Sequence, residues 1–318
     1  MRNKSAAAGR QGRKKKRWTR DDSELTFLAL PTMVWYLLFS FLPMFGVIIA
    51  FKDFRIHGNF VQSVITSRWA GLKNFKYLFA SKDTVTMLRN TLGYNIVFIV
   101  LGIVVPVILA VMINQLHSRR LGKVYQTAMF MPYFLSWVVV AVFVWAFLSY
   151  DKGVANQLLA ASGHAPVNWY MEKKYWPGLL IFLQLWKSIG YGMVIYLASI
   201  TNIDPTYYEA AVMDGATKWQ QTKYITLPMM KTVIVIMFIL NMGGIFRSDF
   251  GLFYQVPHDS NALFDVTYTI DVMVYKSLKS STVGMASASA LFQSVMGCAM
   301  VLATNAIVKR IDPDNAMI

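Results

Sequence analysis

Asp204-Pro205-Thr206-Tyr207-Tyr208-Glu209-Ala210-Ala211-Val212-Met213-Asp214-Gly215-Ala216, continued by Thr217-Lys218-Trp219-Gln220 and closed by Ile225-Thr226-Leu227-Pro228, is the stretch on which the reading of this chain turns. Asp204 before Pro205 is a helix start: a carboxylate caps free backbone N–H groups, and proline suits the first helical position. Residues 209–213 continue that helix, and Gly215 is a natural break after it. Thr217 with Gln220 three residues on fits a capping box that opens a second short helix. Pro228 closes that second helix. The expectation is two short helices joined at a glycine corner.

The sequence on either side is apolar. A bilayer core about 30 Å thick is crossed by ~20 mostly apolar helical residues. Residues 177–200 lie just before the corner and 231–246 just after it. Four further stretches of this kind occupy 26–50, 92–116, 124–148 and 283–308. The fifth in order, 231–246, is short and holds Asn241, Gly243 and Gly244, so its ends are expected to extend to Pro228 and Phe250. Of 318 residues, 56% are hydrophobic and 15% charged, against roughly 45–50% and about 25% in soluble domains. A water-facing surface does not absorb that apolar excess. The expected fold class is an all-α polytopic membrane protein with six transmembrane helices.

The net charge is +15, and nine of the 31 basic residues fall in the first twenty positions, including Arg13-Lys14-Lys15-Lys16-Arg17. On a soluble chain this would suggest nucleic acid. Directly before an apolar helix it reads instead as a cytoplasmic anchor on anionic lipid headgroups, so membrane lipid is expected as a partner and nucleic acid is not. Residues 26–50 exceed a signal-peptide core and no small-residue cleavage site follows, so they are expected to stay as the first span. The tail carries the orientation: without it, the loops assigned outside (51–91, 149–176 and 251–282) hold more basic residues than those inside. The organisation expected is a basic cytoplasmic tail 1–25, a transmembrane domain 26–309 and a cytoplasmic C-terminal tail 310–318, with both termini inside. The outside loops read as long and irregular. Trp18, Trp69, Tyr94, Tyr150, Trp169, Tyr170, Tyr175 and Trp176 crowd the span ends as interfacial belts would.

Glu209-Ala210-Ala211, then Gly215, then Ile225-Thr226-Leu227-Pro228 resembles the EAA motif of ABC-importer permeases, with every position filled. Residues 41–54 (Phe-Leu-Pro-Met-Phe-Gly-Val-Ile-Ile-Ala-Phe-Lys-Asp-Phe) and 244–256 (Gly-Ile-Phe-Arg-Ser-Asp-Phe-Gly-Leu-Phe-Tyr-Gln-Val) resemble the LplB class of sugar-import permeases. The likeness spans nearly the whole chain. It implies a type I ABC-importer permease fold in the bacterial cytoplasmic (inner) membrane. It also implies an oligosaccharide or polysaccharide-fragment substrate, an extracytoplasmic solute-binding protein, a second permease subunit in a heterodimer, and two ATPase subunits. ATP and Mg would be held by those ATPase subunits. By the same resemblance, Glu209, Ala210, Ala211, Asp214, Gly215 and Ala216 contact the ATPase. The alternative for this segment is a helix–turn–helix that only caps the bundle.

No Gly-x-x-x-x-Gly-Lys-Ser/Thr loop is present to cradle ATP phosphates, so nucleotide is expected on another chain. Gly190-Tyr191-Gly192 lacks a third glycine at dinucleotide spacing and reads as close helix packing. His57, His117, His164 and His258 have no ligand spacing, and Cys298 stands alone. No catalytic residue, metal site or cofactor is expected in this chain. Within the spans, polar groups normally face the bundle interior or a watery path. Asn95, Gln184, Trp186, Lys187, Tyr191, Asn241, Arg247, Asp249 and Gln293 are the residues expected to line a sugar path, because hydroxyls need amide and charged partners and pyranose rings need aromatic faces. The bland alternative for each is helix–helix hydrogen bonding. Gly284, Ala286, Ala288 and Ala290 read as a small-residue packing face on the sixth span. Two other functions stay open: a permease of the same superfamily for another solute, and a membrane enzyme acting on lipid-linked sugars. The excess of basic over acidic residues in the outside loops points to an anionic glycan.

Overall fold

The computed structural model describes residues 19–280 and 282–312. Most of the basic tail (1–18, with Trp18) and the end of the C-terminal tail (313–318) lie outside the described residues. The chain divides into two compact units, Met1–Ile48 and Ile49–Ile318. The first is carried by residues 20–48 of α1 (Arg20–Phe51), which opens on a capping box between Thr19 and Asp22 and winds from α-helix through π to 3-10 geometry. No residue of Arg20–Tyr36 is buried, although the helix is mostly apolar from Leu25 onward. A helix apolar on all sides requires lipid or another chain around it.

The second unit contains, in order, α2 (Phe60–Thr66), α3 (Lys73–Ala80), α4 (Lys82–Asn114), α5 (Arg119–Phe130), α6 (Trp137–Leu148), α7 (Val154–Ala161), α8 (Trp176–Thr201), α9 (Pro205–Met213), α10 (Lys218–Met229), α11 (Lys231–Gly243), α12 (Ile270–Lys279) and α13 (Val283–Ile311). The strands among the described residues are a two-residue antiparallel pair, in which Lys52 faces Trp69 and Asp53 faces Arg68. Helices α1, α4, α8 and α13 are each long and apolar enough to cross a membrane. The 124–148 and 231–246 stretches belong to bent pairs instead: α5 with α6 at 97°, and α10 with α11 at 57°. Six spans result when each bent pair counts as one.

Several expected boundaries move for physical reasons. Helix α4 starts at Lys82 and not at 92, because Ser81 accepts the Asp83 N–H and caps a polar first turn that an apolar window misses. The 51–91 loop is accordingly half helical, and 149–176 and 251–282 hold α7 and α12. Helix α11 stops at Gly243, short of Phe250. The third span breaks at Met131–Phe134, where Pro132 has no N–H to continue the ladder and Ser136 caps the next helix by accepting from Val139. Tyr94, Tyr170 and Trp176 are core residues and not interfacial ones. The Trp176 indole donates to the Trp169 carbonyl at 2.7 Å, and the Tyr94 hydroxyl donates to the Val266 carbonyl at 2.9 Å.

The core lies along the pairing of α4 with α8. One cluster includes Met87, Tyr94, Trp176, Leu180, Leu252 and Phe253. A second, nearer the glycine corner, gathers Val107, Ala110, Met193, Tyr196, Ile200 and Met230. Glycines set the closest approaches: a Cβ on Gly297 would lie 2.6 Å from the Gly243 carbonyl oxygen, so α11 and α13 cross backbone to backbone. Gly284, Ala286 and Ala288 are buried as expected of packing residues, but Ala290 is exposed.

Candidate coupling loop and translocation site

The glycine corner is built from local hydrogen bonds. Asp204 accepts the Thr206 N–H at 2.9 Å, with Pro205 at the first helical position. That bond holds the Asp204 carboxyl below the usual carboxylate range. At the other end of α9, the Ala216 N–H donates to the Ala211 carbonyl and the Gly215 N–H to the Val212 carbonyl, a Schellman closure. Gly215 has φ of +79°, the left-handed region that a side chain disfavours. The capping box is complete: the Gln220 N–H donates to Thr217 Oγ1 at 3.3 Å, and the Thr217 N–H donates to Gln220 Oε1 at 2.7 Å.

Long-range bonds hold this frame against the bundle. Gln115, just past α4, donates to Thr222 Oγ1 at 2.8 Å, and the Tyr208 hydroxyl lies 3.0 Å from Thr226 Oγ1. Glu209, Ala210, Asp214 and Gly215 are exposed, while Ala211 and Ala216 are half-buried. Around them Tyr207, Val212, Met213 and Trp219 present bare apolar side chains, with Met213 87% exposed. Apolar side chains and charges are thus exposed together on a rigid frame, a combination that marks interaction surfaces.

The second region lies where α8 passes the break between α5 and α6. A Cβ on Gly190 would fall on the Met129 carbonyl and lie 2.6 Å from the Phe130 Cα, so only glycine admits this approach. Gly192 sits against the Pro106 ring, which bears out the packing reading of both glycines. The Lys187 ammonium donates to the Tyr133 carbonyl at 3.0 Å and lies 5.3 Å and 5.4 Å from the Tyr133 and Trp137 ring centroids. Tyr191, one turn along α8, stacks on Tyr133 with centroids 4.9 Å apart at 11°. The Trp137 indole donates to Asp249 Oδ2 at 2.6 Å, and Asp249 Oδ1 accepts the Gly251 N–H at 2.9 Å. Gly251 lets the indole in, since a Cβ there would lie 2.5 Å from Trp137 Cγ.

The other expected path residues separate into different settings. Trp186 lines an apolar groove with Phe143, Phe147, Phe182 and Leu183, away from Lys187. The Asn95 amide donates to the carbonyls of Ile245 at 3.0 Å and Arg247 at 2.7 Å, pinning the chain after α11. Gln293 donates to the Phe246 carbonyl at 2.9 Å and to Asp271 Oδ2 at 3.1 Å, and that carboxylate also accepts the Ser248 N–H at 2.6 Å. Asn241 and Arg247 have exposed side chains, and Gln184 has a buried Oε1 that accepts no bond among the described residues. Lys187, Tyr191 and Asp249 thus converge through Tyr133 and Trp137, whereas Asn95 and Gln293 act as backbone clamps.

Residues 102–314 match the family described as the inner membrane component of binding-protein-dependent transport systems. The chain belongs to this family. The polygalacturonan/rhamnogalacturonan transport system permease protein YteP of Bacillus subtilis (strain 168) is 33% identical over 287 residues, 90% of this chain and 88% of that protein. Protein LplB of the same organism is 30% identical over 294 residues, covering 92% and 91%. Among solved structures, a chain of a bacterial ABC transporter involved in import of the acidic polysaccharide alginate superposes with a TM-score of 0.82 at 30% identity, covering 92% of this chain and 97% of its own. A second structure, a bacterial alginate ABC transporter in complex with alginate pentasaccharide-bound periplasmic protein, gives a TM-score of 0.81 at 30% identity, covering 93% of this chain and 98% of its own. This chain is a multi-pass membrane permease subunit of an ABC importer with the type I fold, and it is a transport subunit and not an enzyme.

Sequence reasoning missed Tyr133 and Trp137. The signal was present in Pro132 and Ser136, since interrupted apolar segments mark binding sites in transporters. It also missed Ser248 and Asp271, for which no local signal exists.

Proposed function

We propose that this permease passes oligosaccharides from acidic polysaccharides inward, handed over by an extracytoplasmic binding protein. It acts with a second permease and with two ATPase subunits that dock on residues 209–216 and hold ATP and Mg. The observation that carries this reading is the corner itself: an exposed Glu209–Gly215 surface on a frame fixed at both ends by caps. A rigid exposed lever is what transmits ATPase closure to the spans. The cargo class follows from relatives that handle polygalacturonan, rhamnogalacturonan and alginate. With 51–91 and 149–176 outside, an orientation that rests on the basic tail 1–25 and puts both termini in the cytoplasm, the basic residues of those loops support an anionic cargo. Lys187, Tyr191 and Asp249 face the path, with Arg247 and Asn241 exposed near it, Asn95 and Gln293 holding its wall, and Gln184 and Trp186 behind.

Gly215→Val and Glu209→Lys test the coupling. Valine at a φ of +79° costs roughly 1–2 kcal/mol or more, and lysine reverses the charge of an exposed docking residue. Both variants are expected to insert in the membrane and to lose binding-protein-stimulated ATP hydrolysis when purified with their ATPase partners. Wild-type stimulation in both variants would remove the loop as the coupling element.

A further inference from the structure

Lys187 lies roughly 17 Å along α8 from Trp176, at ~1.5 Å rise per residue, near the middle of a helix long enough to cross the bilayer. A charge at that depth faces a watery path or another polar group and not lipid. Among the described residues no carboxylate lies within 4 Å of its ammonium. Its direct hydrogen bond goes to a neutral carbonyl, and the two rings that flank it carry no net charge. Asp249, reached through Trp137, accepts from the Trp137 indole and the Gly251 backbone and forms no ion pair with Lys187 within 4 Å. An ammonium has three N–H donors, so Lys187 keeps capacity for an incoming anion. Beside it the parallel rings of Tyr133 and Tyr191 are 41% and 45% exposed. A stacked ring pair next to a cation that lacks a direct ion-pair partner matches a sugar that carries a carboxylate: the rings take the C–H face of the pyranose and the ammonium takes the charge.

We propose that Lys187, Tyr133 and Tyr191 form a subsite that takes one uronate residue of the passing oligosaccharide, with Lys187 reading the carboxylate. This rests on the import of acidic oligosaccharides proposed above. Lysine suits a transit site better than arginine. It binds as a compact point charge on a flexible stem and not as a rigid bidentate fork, so the carboxylate is held and released. The subsite sits on the α5–α6 break, whose freed Tyr133 carbonyl positions the ammonium, and on α8, whose Gly190 allows the approach.

The test uses proteoliposomes holding the full complex with saturating binding protein. Uptake of oligogalacturonate and oligoalginate is compared with uptake of the same chains after carboxyl reduction to neutral sugars. Lys187→Gln is expected to lower uptake of the charged chains about tenfold, equivalent to ~1.4 kcal/mol, and to leave the neutral chains and the complex yield unchanged. Lys187→Arg retains most charged-chain uptake, and Tyr191→Leu slows both forms alike. Equal loss on charged and neutral chains in Lys187→Gln, or no loss on either, overturns the subsite. Failure of both Lys187 variants to assemble makes the residue a structural bridge and overturns it too. Rescue of Lys187→Gln by Asp249→Asn would mean that the lysine serves Asp249 and not the cargo. A wild-type complex that takes up none of the probes defeats the import reading itself, whereas uptake independent of Lys187 defeats the subsite alone.

Discussion

Helix α8 carries three glycines whose surroundings differ, and replacing each by alanine separates packing from propensity. A Cβ on Gly178 meets nothing within 4 Å, one on Gly192 lies 3.1 Å from the Pro106 ring, and one on Gly190 meets the Met129 carbonyl and the Phe130 Cα at 2.6 Å. Alanine is worth up to about 1 kcal/mol over glycine inside a helix. At Gly190 that gain is opposed by a collision with the Met129–Phe130 backbone, where no flexible side chain can yield. Restoring an ordinary carbon–carbon separation of about 3.6 Å moves the α5–α6 break away from α8 by roughly 1 Å. Overpacking of this kind costs about 1–3 kcal/mol, so the loss exceeds the gain. The shift also strains the 3.0 Å bond from Lys187 to the Tyr133 carbonyl. Thermal unfolding of the purified complex is expected to rank Gly178→Ala at or above wild type, Gly192→Ala close to it, and Gly190→Ala lowest by a few degrees. Binding-protein-stimulated uptake should fall in Gly190→Ala alone. A Gly190→Ala complex as stable as Gly178→Ala would refute the close approach and, with it, the placement of Lys187.

Two further outcomes are expected. With the exposed native Cys298 replaced by serine, a cysteine at Gly163 should label from outside while a reporter before Met1 reports the cytoplasm; labelling of Gly163 from the cytoplasmic side alone would invert the topology. The Asp204 carboxyl sits below its ordinary range because it accepts the Thr206 N–H, so its capping contribution is present above the unfolded value and is lost as pH falls through the folded one, below about pH 4. Stimulated ATP hydrolysis should therefore be insensitive to this group between pH 6 and 8 (roughly the working range) and survive Asp204→Asn, which still caps, but weaken in Asp204→Ala; an unchanged Asp204→Ala would show that the cap does not matter for coupling.

The glycine corner is readable in the sequence because each of its parts is local. The bonds of Asp204 to Thr206, Ala216 to Ala211 and Thr217 to Gln220 join residues two to five apart, and residue type at such spacing dictates them directly. The span count was readable for a different reason, since apolar length is a one-dimensional quantity. What misled was treating 124–148 as one uninterrupted stretch. Its strongly apolar composition hid the geometric consequence of Pro132 and Ser136, and with it Tyr133 and Trp137. The separation of Trp186 from Lys187 has the same origin. Neighbours on a helix are turned about 100° apart, so the ring goes to an apolar groove while the ammonium goes to Tyr133; Lys187 and Tyr191, four apart, share the face.

By itself the sequence determined that the chain lives in lipid, how many apolar crossings it can make, and that one loop is a rigid capped corner. Tertiary structure alone decided which polar side chains meet: Trp137 with Asp249, Asn95 with Arg247 and Gln293 with Asp271 are separated by 112, 152 and 22 residues. Hydrophobic burial carries no direction, so a run of apolar residues does not reveal which face of a span meets which neighbour. That orientation is set by the few places where backbones approach without side chains between them, at Gly190, Gly243 and Gly297, and by the bends that free a carbonyl or an N–H to be claimed from across the bundle.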